Sequence, residues 1–442
     1  MKKISGFLAA LLLSLPGFAQ TTAFGYPTFT QTLTNGLKVV VCEKKDNPLV
    51  ECEVWYRTGS KDEWDGVRGM AHMFEHMMFR GSRNYPGDGD VFIDSLESFG
   101  GQVNAYTTFD RTVYHETIPA DKLMNVLKME ADRMGNLTLS QQTLDVERQV
   151  VGQELRNGQS NWFQRMQNQV YDHLYPEGHP YRVDVIGYLP QIVNFTTTQC
   201  QSFYDKFYAP NNAVLVLVGN VDHADAFAKA QEAFGPITKQ LPPPPPVLAP
   251  DLYSDTLHQQ EYSVDFPVQI YGYIIPKPAA TDSDFFAFLL LKDLLFDNEN
   301  SLLRTKLIDS LQLVYALQNG SDDWSLYPNL CQEYFIMPAA PGNVKVKKII
   351  AAEINNILDD GIDETRIADY LDNLKARELK AAYNVENIAS QLGMAEMYFH
   401  DFNQYARMRE KMETLHSADL QRVAKKYFDP ARLRVVNIKP SY

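Results

Sequence analysis

The sequence is short of positive charge and has almost no long apolar runs. Forty-one Lys and Arg stand against fifty-five Asp and Glu, a formal net charge of −14. That balance argues against a nucleic-acid partner and against an anionic membrane surface. It permits neutral or cationic peptides as partners, although an acidic balance also serves solubility. Past the N-terminus no stretch approaches the roughly 20 apolar residues that a membrane helix needs. At the N-terminus, Met1-Lys2-Lys3 precedes an apolar run from Phe7 to Leu13, and Gly17-Phe18-Ala19 puts small residues at the −3 and −1 positions of a cut after Ala19. Residues 1–19 therefore read as a secretory signal cut after Ala19. The alternative, a membrane anchor, is opposed by Ser14, Pro16 and Gln20, which cut the run short. The expected mature chain is exported, periplasmic or secreted, and not embedded in a membrane. Cysteine is scarce too, four residues in 442. Cys42 and Cys52 lie in two β-rich runs that flank Asp46-Asn47-Pro48 and read as a hairpin, so a cross-strand bridge is open to them. Cys200 and Cys331 fall in different halves, and neither pairing is assigned.

What the chain does contain is one motif with chemistry in it. Gly69-Met70-Ala71-His72-Met73-Phe74-Glu75-His76-Met77 places H-x-x-E-H inside an apolar helical pattern. Residues four apart on a helix stand one turn above each other, so His72 and His76 project together and can share one metal ion. A zinc ion held by two imidazoles and a carboxylate keeps a fourth position for water and lowers its pKa to about 7. Glu75, on the same face, is placed to take the proton. A pair of surface histidines on an amphipathic helix gives the same pattern until a further ligand is found.

A second helical stretch begins at Ser140, a capping residue, and runs through Glu147 and Glu154. These two glutamates are seven apart, two helical turns, and share a face. Around the motif the first half alternates strands and helices: Lys38 to Cys42, Val50 to Arg57, Gln102 to Thr107, Thr112 to Ile118 and Asn212 to Gly219 read as strands. Asp90 to Phe99 and Pro119 to Met134 read as helices, the first stopped by Gly100-Gly101.

Five consecutive prolines, Pro242 to Pro246, favour a stiff polyproline spacer and mark a boundary. The expected organisation is a signal at 1–19, a metal-bearing domain at 20–240, a linker at 241–250 and a second domain at 251–442. The second half repeats the first. Sliding the sequence by 217 sets the helical run Phe285 to Phe296 on the motif helix, with Leu289 on His72, Lys292 on Glu75 and Asp293 on His76. The helix is retained while its ligands are not, so the second half has no metal of its own. Asn343 to Leu358 and Asp363 to Leu392 read as helices that pack on the second sheet.

These residues resemble the pitrilysin, insulinase and mitochondrial processing peptidase family of zinc metallopeptidases, the inverzincins with H-x-x-E-H. Glu154 lies 78 residues after His76, close to where that family places its third ligand, again with a Glu seven residues before it. The resemblance covers nearly all of the mature chain and is strongest from Gly59 to Glu154. It implies Zn2+ on His72, His76 and Glu154, Glu147 as a supporting carboxylate, and Glu75 as general base. The fold it implies is α+β, two similar sheet-plus-helices bodies closing like a clamshell around a peptide. It assigns Asn104 and Ala105, in the run Gly100 to Thr107, to a strand that accepts the substrate as an added strand. Active members also supply an Arg and, seven residues later, a Tyr. Tyr315 fits the second, but Ile308 stands at the Arg position, and an apolar side chain cannot stabilise an oxyanion. Since some members are two-chain enzymes, the expected protein is the metal-bearing chain of a heterodimer whose related partner supplies Arg and Tyr. The alternative is a peptide-binding scaffold that kept the fold and lost catalysis.

Overall fold

In the computed structural model, the described residues are 20–21, 25–87, 91–241, 252, 258–264, 267–339 and 343–440. The expected signal at 1–19 and the proline run at 242–246 lie outside them. Among the described residues twelve strands form two sheets. The first sheet contains β1 (Gln20–Thr21), β2 (Pro27–Thr32), β3 (Lys38–Glu43), β4 (Leu49–Tyr56), β5 (Gln102–Thr107), β6 (Thr112–Pro119) and β7 (Ala213–Gly219). The second contains β8 (His258–Val264), β9 (Val268–Lys277), β10 (Ala316–Asn319), β11 (Asn329–Pro338) and β12 (Arg434–Pro440).

The spatial orders are β1-β2-β3-β7-β4-β6-β5 and β10-β11-β9-β12-β8. Read from opposite ends, these are one topology. In each sheet the body's last strand is inserted parallel to an early one, β7 beside β3 and β12 beside β8, and all other neighbours are antiparallel. The fold is thus α+β with two similar bodies, as the 217-residue offset implies. β5 and β10, equivalent by position, are the free outer strands on the motif side.

That insertion corrects the reading of residues 38–57 as a hairpin. β7 separates β3 from β4, with Cys42 opposite Val218 and Cys52 opposite Leu217. The two cysteines also belong to cores on opposite faces of the sheet. All four cysteines are free and buried. A five-residue connection between β3 and β4 suits a hairpin locally, but the fully apolar Ala213–Gly219 run gains more by burying both its faces at the sheet centre.

A second correction concerns residues 363–392. They do not form one helix on the second sheet: a first helix, Glu364–Ala381, ends there, and a second, Val385–Phe399, starts at Asn384, whose side chain caps Glu386 N. The second helix crosses to the first sheet. Its Ile388, Ala389 and Leu392 pack on Val40, Trp55, Val214 and Val216. The first half returns the contact through the helix Trp162–Leu174, whose Met166, Val170 and Leu174 pack on Ile270, Ile274, Val436 and Ile438 of the second sheet. Each sheet therefore has one face covered by its own helices and the other by a helix from the opposite half. Each fully buried Leu, Ile or Val is worth about 1.5–3 kcal/mol, so the exchange clasps the halves firmly.

Gly393 permits this approach. A Cβ at that position would lie 2.1 Å from the Trp55 ring, and Trp55 is itself fully buried. Gly393→Ala should destabilise the protein by about 1–3 kcal/mol through overpacking, read from the midpoint of denaturant unfolding. An unchanged midpoint would mean that the helix does not sit against Trp55.

Candidate metal centre

The motif helix spans Met70–Met77 and turns Met70, Ala71, Met73, Phe74 and Met77 into the core. His72, Glu75 and His76 are left on the opposite face. Its start is fixed from two sides. Gly69 has φ 97°, and a Cβ there would meet the Ile186 carbonyl at 2.5 Å, so a residue with a side chain is excluded both by the backbone and by the crossing 186–187 segment. Glu63 caps the helix, its two carboxylate oxygens accepting from Gly69 N and Ala71 N at 2.8 Å each. Burial pushes the Glu63 carboxyl up to about 8, against the opposing pull of those amides. Sequence reasoning missed Glu63. Its only signal was an acidic residue shortly before a helix start, which is common in chains of any function.

The second helix, Gln141–Ser160, begins at Ser140, whose Oγ accepts from Thr143 N at 3.0 Å. Leu144, Val151 and Leu155 are buried in the core shared with the motif helix, which sets the two helices side by side. Glu147 and Glu154 consequently face the histidines. His76 Nε2 stands 3.4 Å from Glu154 Oε2, and His72 Nε2 stands 3.7 Å from Glu154 Oε1. Ligand atoms bound tetrahedrally to one zinc ion at about 2.0–2.1 Å stand about 3.3–3.5 Å from each other. The donors are therefore held near the separation of ligands, longer than an ordinary N–H···O hydrogen bond of about 2.9 Å. His72, His76 and Glu154 each offer an atom within 4.8 Å of the others. Two imidazoles and a carboxylate are a donor set that suits a borderline cation such as zinc.

Glu147 lies behind this set, fully buried. Its Oε2 is 3.3 Å from His76 Nδ1 and its Oε1 is 2.5 Å from Arg80 Nε. A carboxylate on Nδ1 leaves Nε2 free to bind a metal and orients the ring. The electrostatics agree. Burial lowers the His72 pKa. Burial also pulls His76 downward, but the Glu147 and Glu154 carboxylates outweigh it and hold that ring at about 9. Glu154 is lowered, chiefly by its contact with His76. The pocket is built to hold positive charge.

Glu75 accepts from Thr107 Oγ1 at 2.6 Å. His72, Glu75 and Glu154 open onto a cavity of about 460 Å3, shared with Tyr106, Thr107 and Asp184. β5 borders this cavity and is the outer strand of its sheet. Asn104 is exposed there, and its Oδ1 takes the Ala105 N–H at 2.9 Å, so that donor is directed to the free edge and not to β6. Tyr315 is not brought to the centre. It lies in the second half, 65% exposed, outside the cavity lining, with its backbone N bonded to Ile336 O at 2.7 Å. Ile308 packs against the second core. Apart from Glu63, sequence reasoning also passed over Arg80 and Thr107. Arg80 stands four residues after His76, where a cation meets the helix end, and Thr107 closes the β5 run.

Residues 38–181 match the family described as insulinase, peptidase family M16, and residues 194–374 match its companion, the peptidase M16 inactive domain. The chain belongs to peptidase family M16. Its relatives include the zinc protease PqqE of Helicobacter pylori, 28% identical over 466 residues that take in all of this chain and 99% of that one. The crystal structure of a protease from Helicobacter pylori superposes with a TM-score of 0.87 at 25% identity, covering 94% of this chain and all of that one. The periplasmic protease PqqL from Escherichia coli superposes with a TM-score of 0.76 at 20% identity, covering 93% of this chain but only 47% of PqqL. The match to the inactive domain fits a second body without the ligands of the first.

Two variants test this geometry. Glu147→Gln should weaken zinc affinity about 10–100-fold, and Glu154→Gln should weaken it further, both measured by competition with a chelating dye. Wild-type affinity in Glu154→Gln would remove that residue from the metal set.

Proposed function

We propose that this M16 chain is an exported zinc-dependent endopeptidase that cuts peptides or unfolded segments. The observation that carries the reading is the convergence of His72, His76 and Glu154 at ligand spacing with Glu75 beside them on the cavity wall. Zinc in that set would polarise the scissile carbonyl and acidify a water. The chain's own groups do the rest. Glu75 takes the water's proton and returns it to the leaving amine. Glu147 keeps His76 in the tautomer that binds through Nε2. The free edge of β5, from Asn104 to Thr107, holds an extended peptide by main-chain hydrogen bonds without reading its sequence closely.

Among the described residues that line the cavity there is no Lys or Arg, Tyr106 is the one phenol, and neither Tyr315 nor the apolar Ile308 is part of the lining. A cation to stabilise transition-state charge then has to come from outside. A related second chain supplying Arg and Tyr would complete the site, and the length of PqqL, about twice this chain, is consistent with such a second half. Export is supported by the N-terminal pattern and by the periplasmic PqqL. Among the described residues no helix is long and apolar enough to cross a membrane.

The incomplete Arg and Tyr pair also favours a second reading, a peptide-binding scaffold. Glu75→Gln separates the two. Under the peptidase reading, zinc content stays at one per chain while peptide hydrolysis falls about 100- to 10,000-fold, measured with and without a candidate partner chain. A wild-type chain that holds zinc and cuts no peptide in either condition would establish the scaffold.

A further inference from the structure

Glu75 has one hydrogen-bond partner among the described contacts, and it is not on its own helix. Thr107 Oγ1 donates to Glu75 Oε2 at 2.6 Å from the last position of β5. A general base at the end of a flexible side chain needs one oxygen tied for the other to stay aimed. Thr107 is in turn only as fixed as the turn that follows it, residues 108–111, and that turn is one of the places where polar contacts join the two halves of the molecule.

Within the turn, Thr108 N donates to Arg111 O at 2.8 Å, and Thr108 Oγ1 accepts from Asp110 N and Arg111 N. From the first half, Tyr181 OH donates to Asp110 Oδ1 at 2.7 Å and Lys61 Nζ reaches Asp110 O at 3.1 Å. From the second half, Leu326 N donates to Asp110 Oδ2 at 2.9 Å. Arg111 Nη1 donates to Tyr398 OH at 2.6 Å and pairs with Asp322 Oδ2 at 3.3 Å. Asp110 is 1% and Arg111 6% exposed. A buried carboxylate and a buried guanidinium cannot be left unpaired without a cost of several kcal/mol, so the turn has one low-energy arrangement, held by both halves: Ser60 N and Lys61 N also donate to Thr108 O and Phe109 O from the first, while the side chains that pair with Arg111, Tyr398 and Asp322, come from the second. Tyr398 sits on the helix that crosses between the bodies.

We propose that Thr107 is the positioning residue of Glu75, and that the second half, which contributes none of His72, His76 and Glu154, helps to set the catalytic base by holding the Thr107 turn through Asp110 and Arg111. This rests on the peptidase reading for its kinetic consequence, though not for the contact itself. It gives the second body a task in catalysis that ligand counting does not reveal. It also couples the two duties of β5: the strand that receives a peptide at its edge is the strand whose end aims the base.

The test uses the full zinc-loaded chain and Thr107→Val, which keeps the shape and removes the hydroxyl. The expected result is a kcat lower by about 10- to 100-fold, with KM and zinc content unchanged. Thr107→Ser should restore kcat to within about threefold, and Thr107→Val should add nothing to Glu75→Gln, as groups acting through one another do. Asp322→Ala, at a partly exposed site in the second half, should lower kcat roughly threefold to tenfold without changing KM. The second readout is the side-chain carboxyl 13C signal of Glu75, assigned by its loss in Glu75→Gln, which should shift in Thr107→Val. Wild-type kcat in Thr107→Val would overturn the inference and leave the peptidase standing. If the wild-type chain cuts no peptide at all, the peptidase reading fails, and the carboxyl signal alone decides: a shift supports the contact's role, and an unmoved signal overturns it.

Discussion

The first body depends on a single meeting of two helices, where His76 lies between Glu154 on one ring nitrogen and Glu147 on the other. Glu147 is wholly buried, and a buried carboxylate persists only with cationic or hydrogen-bonding partners. Arg80 supplies one and His76 the other. The apolar faces of both helices, Phe74 and Met77 against Leu144, Val151 and Leu155, share one core, so the polar faces are brought together by packing and not by their mutual attraction. This order of causes matters for function. Hydrophobic burial fixes the scaffold, and the donor set inherits ligand spacing from it before any metal arrives.

The second body shows what the same scaffold does when that requirement is relaxed. Leu289 and Lys292, at the positions of His72 and Glu75, are both buried. Lys292 pairs with Asp297 at 2.5 Å and with Asp323, so an ammonium supplies the positive charge inside the body where the first half would hold a cation. Asp293, at the position of His76, is bonded by Tyr370 OH. The helix loosens into a wider turn at Asp293–Asp297. These side chains pair with one another and not with a metal, which explains why the topology is shared while the chemistry is not. What the second body retains is its grip on the first, through the exchanged helix and the turn at residues 108–111.

Much of this was legible in the residues. The His72, Glu75 and His76 spacing follows from helix geometry alone; the same rule shows that Glu147 and Glu154 share a face, and their assignment to the site came from the family resemblance. The strands were found because alternation and β-branched runs are local signals. Their order was not, because β7 inserts between β3 and β4 over more than 150 residues of chain and no local pattern records that. The break at Ala382–Asn384 was hidden by good helix formers on both sides. Only the tertiary gain of covering Trp55 and its neighbours explains why the chain stops, caps with Asn384 and changes sheets. Thr107, Glu63 and Arg80 escaped because a threonine, a capping carboxylate and an arginine carry no signature until their partners are near. Tyr315 was placed by spacing to a motif, and spacing along the chain could not show that β10 and its flanks turn it to solvent.

The central claim is that two imidazoles and one carboxylate of this chain hold a zinc ion. X-ray absorption at the zinc edge on the loaded protein tests it most directly. The expected spectrum has a four-coordinate shell of nitrogen and oxygen at about 2.0–2.1 Å with the outer-shell scattering of two imidazoles. A shell of oxygen alone, or imidazole scattering that survives the loss of both His72 and His76, would contradict it.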